Sequence, residues 1–474
     1  MTGRTIGRKT GQMIGRRGFL RGVAAGLGAT ALSGCIGGGT GISFGGSAGG
    51  TGETITPAPP SETLAKFFNA LDQLERGQRS RPVVVVQIGD SHTAGDAFSG
   101  RLRELLQQRF GAAGRGYLPP GDPYRYYRPR QVEVSQTDGW EATSSLRADA
   151  PGPFGLAGYR LETAERGERV SVTSTNGPFE RASVTFLRIP GGGRLDVRVD
   201  GRSEATLDTD GPYLQAARLD LPTGSGARAL ELVTLDERPV ALLGWTVERN
   251  AQGVILDSHG IGGATAGVID HWDQATMTWE LAERDPSLII LAFGTNEGFD
   301  DTLDVASYRA RFAERIRRLA SAAPNASILV VGPPDALRRA SGCRDEDAGA
   351  NSCAPLTASE VASYRDIFDD GASGAQECRW HPPPSLDDVR QAQRAAAAQT
   401  RAYFWDWSAV MGGACGANRW VMTEPQLAYD DRVHLQEQGY ATSAEQLNAT
   451  LMSQYAGWRT VAGLAEMIRA PFAG

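Results

Sequence analysis

Two periodicities divide the chain. From Ser61 onward Leu64, Phe67, Phe68, Leu71 and Leu74 recur at helical spacing, with Ser61 placed to cap the helix. Val83 to Ile88 is a continuous apolar run, the pattern of a parallel strand buried on both faces. A second helix is expected over Phe98–Phe110, closed by Gly111. Between about Tyr117 and Asn250 the period falls to two. Arg194-Leu195-Asp196-Val197-Arg198-Val199 alternates and runs into Asp200-Gly201, a hairpin signal. Val170–Val172, Ala182–Ile189, Ala229–Leu235 and Val240–Val247 read as further strands, so 122–250 is expected to be an inserted β-sandwich. From Gly253 the mixed texture returns. Strands are expected at Gly253–Leu256, Leu288–Phe293, Ile328–Val331 and Tyr403–Trp405, and helices at 266–284, 303–322, 384–399 and after Gly439. Alternating strands and helices predict an α/β domain with a parallel sheet covered on both faces, contributed by 61–121 and 251–474.

The first 60 residues carry neither pattern. Arg16-Arg17-Gly18-Phe19-Leu20-Arg21 is a twin-arginine signature, followed by the weakly apolar run Val23–Leu32. Leu32-Ser33-Gly34-Cys35 resembles a lipobox, in which cleavage precedes a cysteine that then carries lipid. Residues 1–35 are therefore expected to be an export signal that leaves Cys35 as a membrane anchor, and the Gly/Ser/Thr/Pro-rich 36–60 a flexible linker. No stretch supplies the roughly 20 apolar residues of a membrane span. Gly41-Ile42-Ser43-Phe44-Gly45 matches G-x-S-x-G literally, but it lies in the linker without the flanking strand and helix that a nucleophile elbow needs.

Charge narrows the partners. Six basic side chains and no acid precede Cys35; without them the formal charge of −7 becomes −13. Such a body repels phosphate, which argues against nucleic acid. Cys343, Cys353, Cys378 and Cys415, even in number in an exported chain, predict two disulfides with three possible pairings that fasten the 340–380 loop region to the sheet. No C-x-x-C pair points to zinc.

Four blocks fall at the expected strand ends, where α/β sheets place their sites. They are Gly89-Asp90-Ser91-His92-Thr93-Ala94-Gly95-Asp96, Gly260-Ile261-Gly262-Gly263-Ala264-Thr265, Gly294-Thr295-Asn296-Glu297 and Asp431-Arg432-Val433-His434. A serine at a strand-to-helix turn is an exposed nucleophile. His434 is its candidate base, and Asp431, three residues earlier on one side of a helical turn, is the orienting acid. Asp430 is the alternative acid, less apt in spacing. The N–H groups of Ser91 and Gly263 and the Asn296 side-chain amide are candidate oxyanion donors. His92, His259 and His271 are read as structural or as supports behind the site, with His92, which adjoins Ser91, the one that has a functional alternative.

These blocks resemble the SGNH (GDSL) hydrolase family in order and spacing. Together with Leu386-Asp387-Asp388-Val389-Arg390, Phe404-Trp405-Asp406-Trp407, Met411-Gly412-Gly413 and Gly439-Tyr440, they resemble the bacterial peptidoglycan O-acetylesterases, which carry a carbohydrate-binding-like β-module between the first two blocks. The resemblance implies a three-layer α/β/α fold with an inserted sandwich, Ser91/His434/Asp431 as triad, and removal of C6 acetyl groups from N-acetylmuramic acid, with no metal or organic cofactor. The family usually has Asp where Glu297 stands. An acetyltransferase or lipid-directed acylhydrolase shares the same triad, and a non-catalytic wall-binding lipoprotein is the third reading. Trp380, Trp405, Trp407 and Trp420 are candidate sugar-stacking faces or core residues.

Overall fold

The structure, a computed structural model, describes residues 62–340, 342–347, 349–364 and 378–469. The expected signal, Cys35, the linker and Ser61 lie outside them. In chain order the described body begins with α1 (Ala65–Glu75), β1 (Val83–Gly89), the one-turn α2 (Ser91–Ala94) and α3 (Ala97–Phe110). A run of strands follows: β2 (Gly114–Leu118), β3 (Val132–Gln136), β4 (Glu141–Ser144), β5 (Tyr159–Thr163), β6 (Arg169–Ser174), β7 (Phe179–Arg188), β8 (Arg194–Val199), β9 (Arg202–Asp208), β10 (Gln215–Ala227), β11 (Ala229–Thr234) and β12 (Val240–Glu248). The chain then forms β13 (Val254–Gly260), a 3-10 turn (Ala266–His271), α4 (Gln274–Arg284), β14 (Leu288–Ala292), α5 (Thr295–Gly298), α6 (Val305–Ala322) and β15 (Ser327–Gly332). It ends with α7 (Ala358–Ala362), α8 (Pro384–Thr400), β16 (Tyr403–Asp406), α9 (Trp407–Val410), α10 (Gly416–Val421) and α11 (Glu437–Arg469). Among the described residues no helix is long and apolar enough to cross a membrane.

Five strands form one parallel sheet in the order β13-β1-β14-β15-β16. Its apolar runs are continuous because alternate residues serve opposite layers. Val84, Val86, Ile88, Ile289, Leu291 and Val330 pack toward α4, α6 and α8. Val83, Val85, Leu256, Leu288, Ile290 and Leu329 pack toward α1, α3 and α11. The result is a three-layer α/β/α body. Residues between α3 and β13 build two antiparallel sheets, β10-β7-β12-β5-β4 with β2 on β12, and β3-β6-β11-β8-β9. Leu161, Val184, Phe186 and Leu242 of the first sheet share a core with Val172, Val197, Leu230 and Leu232 of the second. That shared core makes the inserted part a sandwich. At the expected hairpin, Asp200 and Gly201 both have positive φ, 48° and 78°, as a tight right-twisting turn requires.

Buried polar groups fasten the sandwich to the α/β layers. Arg284 of α4 donates to Asp257 of β13 at 2.8 and 3.0 Å and to Glu248 of β12 at 2.6 Å. Tyr117 of β2 donates its hydroxyl to Glu280 of α4 at 2.7 Å.

Two expectations are corrected. The helix expected over 266–284 is broken, because the Asp273 side chain accepts from Thr276 N and caps α4, separating it from the 3-10 turn. Asp431 and His434 share an irregular turn, not a helical one: Arg432 between them has φ 53°. Of the two readings of Trp380, Trp405, Trp407 and Trp420, core packing holds: all four are buried beneath α3 and α11 and offer no open face to a sugar.

The four cysteines pair as Cys343–Cys378 and Cys353–Cys415. The first closes the 340–380 region on itself; only the second ties that region to another element, the start of α10. In the unreduced, denatured protein these four cysteines should give no thiol signal with Ellman's reagent. Replacing Cys353 and Cys415 together by serine should lower the unfolding free energy by roughly 2–4 kcal/mol in denaturant titrations.

Candidate active site

The nucleophile turn is set by the end of β1. A Cβ on Gly89 would lie 2.2 Å from Thr93 Oγ1 and 2.6 Å from Ala292 O, and one on Gly260 would lie 2.0 Å from Ala94 N. Only glycine lets three strand ends and α2 approach so closely. Asp90 caps α2 by accepting from His92 N at 3.0 Å, while its own N–H donates to Ala292 O at 3.2 Å. Ser91 thus starts α2 at the carboxyl edge of the sheet.

Asp96 anchors the other end of this turn. It adopts φ 51° and accepts from Ser99, from Arg103 at 2.8 and 3.2 Å, from Arg115 at 3.1 Å and from Arg130 N at 2.9 Å. Burial alone would push this carboxyl up; the two guanidiniums outweigh it and hold the group well below the ordinary carboxylate range.

The fourth block arrives from the opposite end of the chain. Asp431 Oδ1 accepts from Val433 N and His434 N, both at 2.9 Å, and Oδ2 lies 2.7 Å from His434 Nδ1. His434 Nε2 lies 3.1 Å from Ser91 Oγ. Since a carboxylate only accepts, Nδ1 carries the proton and Nε2 faces the serine as an acceptor. Burial pushes Asp431 up, but the bonds from His434 and the two N–H groups hold it down at about 2. The same bond raises His434 above the ordinary histidine value, against its burial. Arg432 pins the turn: its guanidinium lies 4.2 Å over the Trp380 ring and donates to Asn418 Oδ1 at 3.0 Å. Asp430 makes no bond to the histidine; its side chain meets Gln426.

The second and third blocks follow β13 and β14, the two strands that flank β1, and touch each other. Gly263 turns with φ 77°, and Asn296 Nδ2 donates to Ala264 O at 2.9 Å. An amide has two N–H donors, so this bond orients the group and leaves the other for a ligand. Glu297 is buried and accepts from Ala266 N at 2.8 Å, tying the third block to the second. Burial raises its pKa.

His92, His259 and His271 lie outside the triad, each held by its neighbours. His92 is buried with Nδ1 2.9 Å from Tyr440 OH, its ring centroid 5.6 Å from that of His434; burial drops its pKa to about 3. His259 is buried against Tyr117, and His271 holds Ser145 O at 2.7 Å. The triad itself is open: the His434 and Asp431 side chains are 43% and 48% exposed.

A GDSL-like lipase/acylhydrolase family model matches residues 224–442. Among solved structures, a peptidoglycan O-acetylesterase superposes with a TM-score of 0.65 at 25% identity, over 84% of this chain and 99% of that one. By family match, fold and site the chain resembles the SGNH hydrolases. It is a carboxylic ester hydrolase, and the second, third and fourth blocks fall within the matched residues. Family two carbohydrate esterases from Cellvibrio japonicus (12% identity, 69% of this chain and 98% of that one) and Clostridium thermocellum (12%, 72% and 100%) align with TM-scores of only 0.27 and 0.26, too low to carry an argument. No curated protein matches it in sequence.

Sequence reading gave Asp96 no role, although it stands in the first block. The cue was its i, i+3 and i, i+7 spacing to Ser99 and Arg103 on one helix face. Asp96→Ala would strand two buried guanidiniums and should lower the unfolding free energy by about 3–5 kcal/mol in urea titrations. Asp431→Asn should bring the His434 pKa down, read from its ring signals in an NMR pH titration; an unmoved value would show that the carboxylate does not set it.

Proposed function

We propose that this ester hydrolase is an exported, lipid-anchored O-acetylesterase of cell-wall polysaccharide that removes the C6 acetyl group of N-acetylmuramic acid in peptidoglycan. The carrying observation is the unbroken Asp431–His434–Ser91 relay, 2.7 and 3.1 Å, in a chain aligned along 84% of its length with a peptidoglycan O-acetylesterase. The twin-arginine signature and the lipobox at Cys35 support export and anchoring, and the sandwich at 122–250 supports a role in presenting polymer.

In the reaction, Ser91 Oγ attacks the acetyl carbonyl while His434 Nε2 takes the hydroxyl proton. Charge collects on the carbonyl oxygen, where the N–H groups of Ser91 and Gly263 and the second N–H of the Asn296 amide stabilise it. One such donor lowers the barrier by roughly 3–4 kcal/mol. His434 then passes its proton to the departing sugar oxygen, leaving acetyl on Ser91. Water, deprotonated by His434, attacks that ester and releases acetate. Asp431 keeps the imidazole in the working tautomer and stabilises its cation throughout. The half-exposed His434 and Asp431 suit an ester carried on a bulky polymer, which cannot enter a closed pocket.

Ser91→Ala and His434→Ala should each cut kcat on p-nitrophenyl acetate by at least about a thousandfold with the fold retained. His434 must be neutral to act as base, and its pKa is raised, so activity should fall with pH already above the ordinary histidine value. In Asp431→Asn that acid limb should move to lower pH as the rate drops. Acetate should be released from O-acetylated peptidoglycan, and octanoate should be cleaved more slowly than acetate. Faster octanoate cleavage with no acetate from the wall would replace this reading with a lipid-directed one.

A further inference from the structure

The seam between the sandwich and the 3-10 turn Ala266–His271 holds two cavities that meet at one side chain. The first, about 440 Å³, is bordered by Thr265 and Glu297. Thr265 lies two residues beyond Gly263 and Glu297 directly follows Asn296, so this cavity begins beside the oxyanion donors. Its opposite wall includes Leu146, from the inserted sandwich segment and 44% exposed. The second, about 680 Å³, runs between Leu214 and Gln215 on the sandwich side and Trp272, Asp273 and Trp279 on the other. His271 lines both.

This seam is fixed in place. Ser145, buried in the sandwich segment, takes His271 Nδ1 on its carbonyl at 2.7 Å and the Trp272 indole N–H on its hydroxyl at 3.1 Å. The turn dividing the cavities is thereby held by the sandwich segment itself. The wider cavity has the chemistry that recognises a pyranose ring. The half-buried Trp279 offers a flat apolar surface for the C–H face of a sugar. Leu214, half exposed, extends that surface, and His271, Asp273 and Gln215 are hydrogen-bonding groups along its sides. Both volumes fall in the range of sites that hold small ligands or a few sugar units.

We propose that this seam is the glycan-chain subsite: the polysaccharide bearing the scissile acetyl runs from the oxyanion loop over His271 into the cleft between β10 and α4, with Trp279 as its stacking platform. The proposal rests on the chain being a wall-polysaccharide O-acetylesterase. It gives the sandwich a defined part in catalysis, as one wall of the substrate path and not as a separate tether.

Trp279→Ala removes the platform. Ala275→Trp, at an exposed position lining the same cleft, leaves Trp279 in place and fills the space instead. Initial rates would be measured for the parent protein and both variants on p-nitrophenyl acetate and on O-acetylated peptidoglycan, following acetate release. Small-ester turnover should stay within about twofold, while kcat/KM on the wall falls about tenfold, chiefly through KM, as expected when one stacked aromatic contact is lost or blocked. Unchanged wall turnover in both variants, or an equal fall on both substrates, overturns the subsite. A parent protein that cleaves the small ester but frees no acetate from peptidoglycan overturns the substrate reading itself, a result distinct from the first two.

Discussion

One buried carboxylate holds the site to the rest of the molecule. Asp96 receives two guanidiniums, a hydroxyl and a backbone N–H, and through them it joins α3, β2 and the segment at Arg130 to the turn that presents Ser91. Arg103 continues the chain of bonds to Leu256 O of β13, and Arg115 continues it to Arg130 O. An unpaired charge so deep would be costly; paired on every side, it fixes the angle at which α3 leaves the nucleophile turn. The left-handed backbone at Asp96 is tolerated because these bonds over-determine it.

The second joint of this kind, Arg284 with Asp257 and Glu248, locks the sandwich to the parallel sheet. Because both joints are buried and charged, the sandwich cannot slide over the α/β layers without exposing unpaired ions to an apolar interior. The open triad is therefore carried on a stiff frame, and the side chains above Ser91 can stay exposed without losing their alignment.

Much of the fold was legible because the two kinds of packing leave different periods. Val83–Ile88 serves two layers and reads as continuous apolar sequence, whereas Arg194–Val199 turns Leu195, Val197 and Val199 into the sandwich core and charged side chains to the other face, and alternates. The site blocks were legible because glycine is compelled where strand ends crowd α2, as at Gly89 and Gly260. What escaped was set by distant partners. Periodicity could not show that Asp273 would cap α4 and split the expected helix, nor that the Asp431–His434 turn would pass through a left-handed Arg432. The tryptophans stayed open between sugar face and core because composition alone does not tell an aromatic that covers a sheet from one that faces solvent. Trp380 supports the triad turn from beneath, through Arg432.

The position of β1 has a consequence for how the chain acquires its shape. It is the first strand of the parallel sheet to be synthesised, yet its hydrogen-bonding neighbours are β13 and β14, with Val83 paired to Val254 and Val85 to Leu288. Until more than a third of the chain beyond it has emerged, an apolar strand with both edges unpaired has nothing to join. The sandwich, whose strands pair largely with one another, can close first and bring the ends of the insertion together, shortening the loop that β1 must wait for. Assembly is then ordered by topology, with the parallel sheet forming late and the contact between Ser91 and His434, 343 residues apart, forming only once the α/β layers have joined.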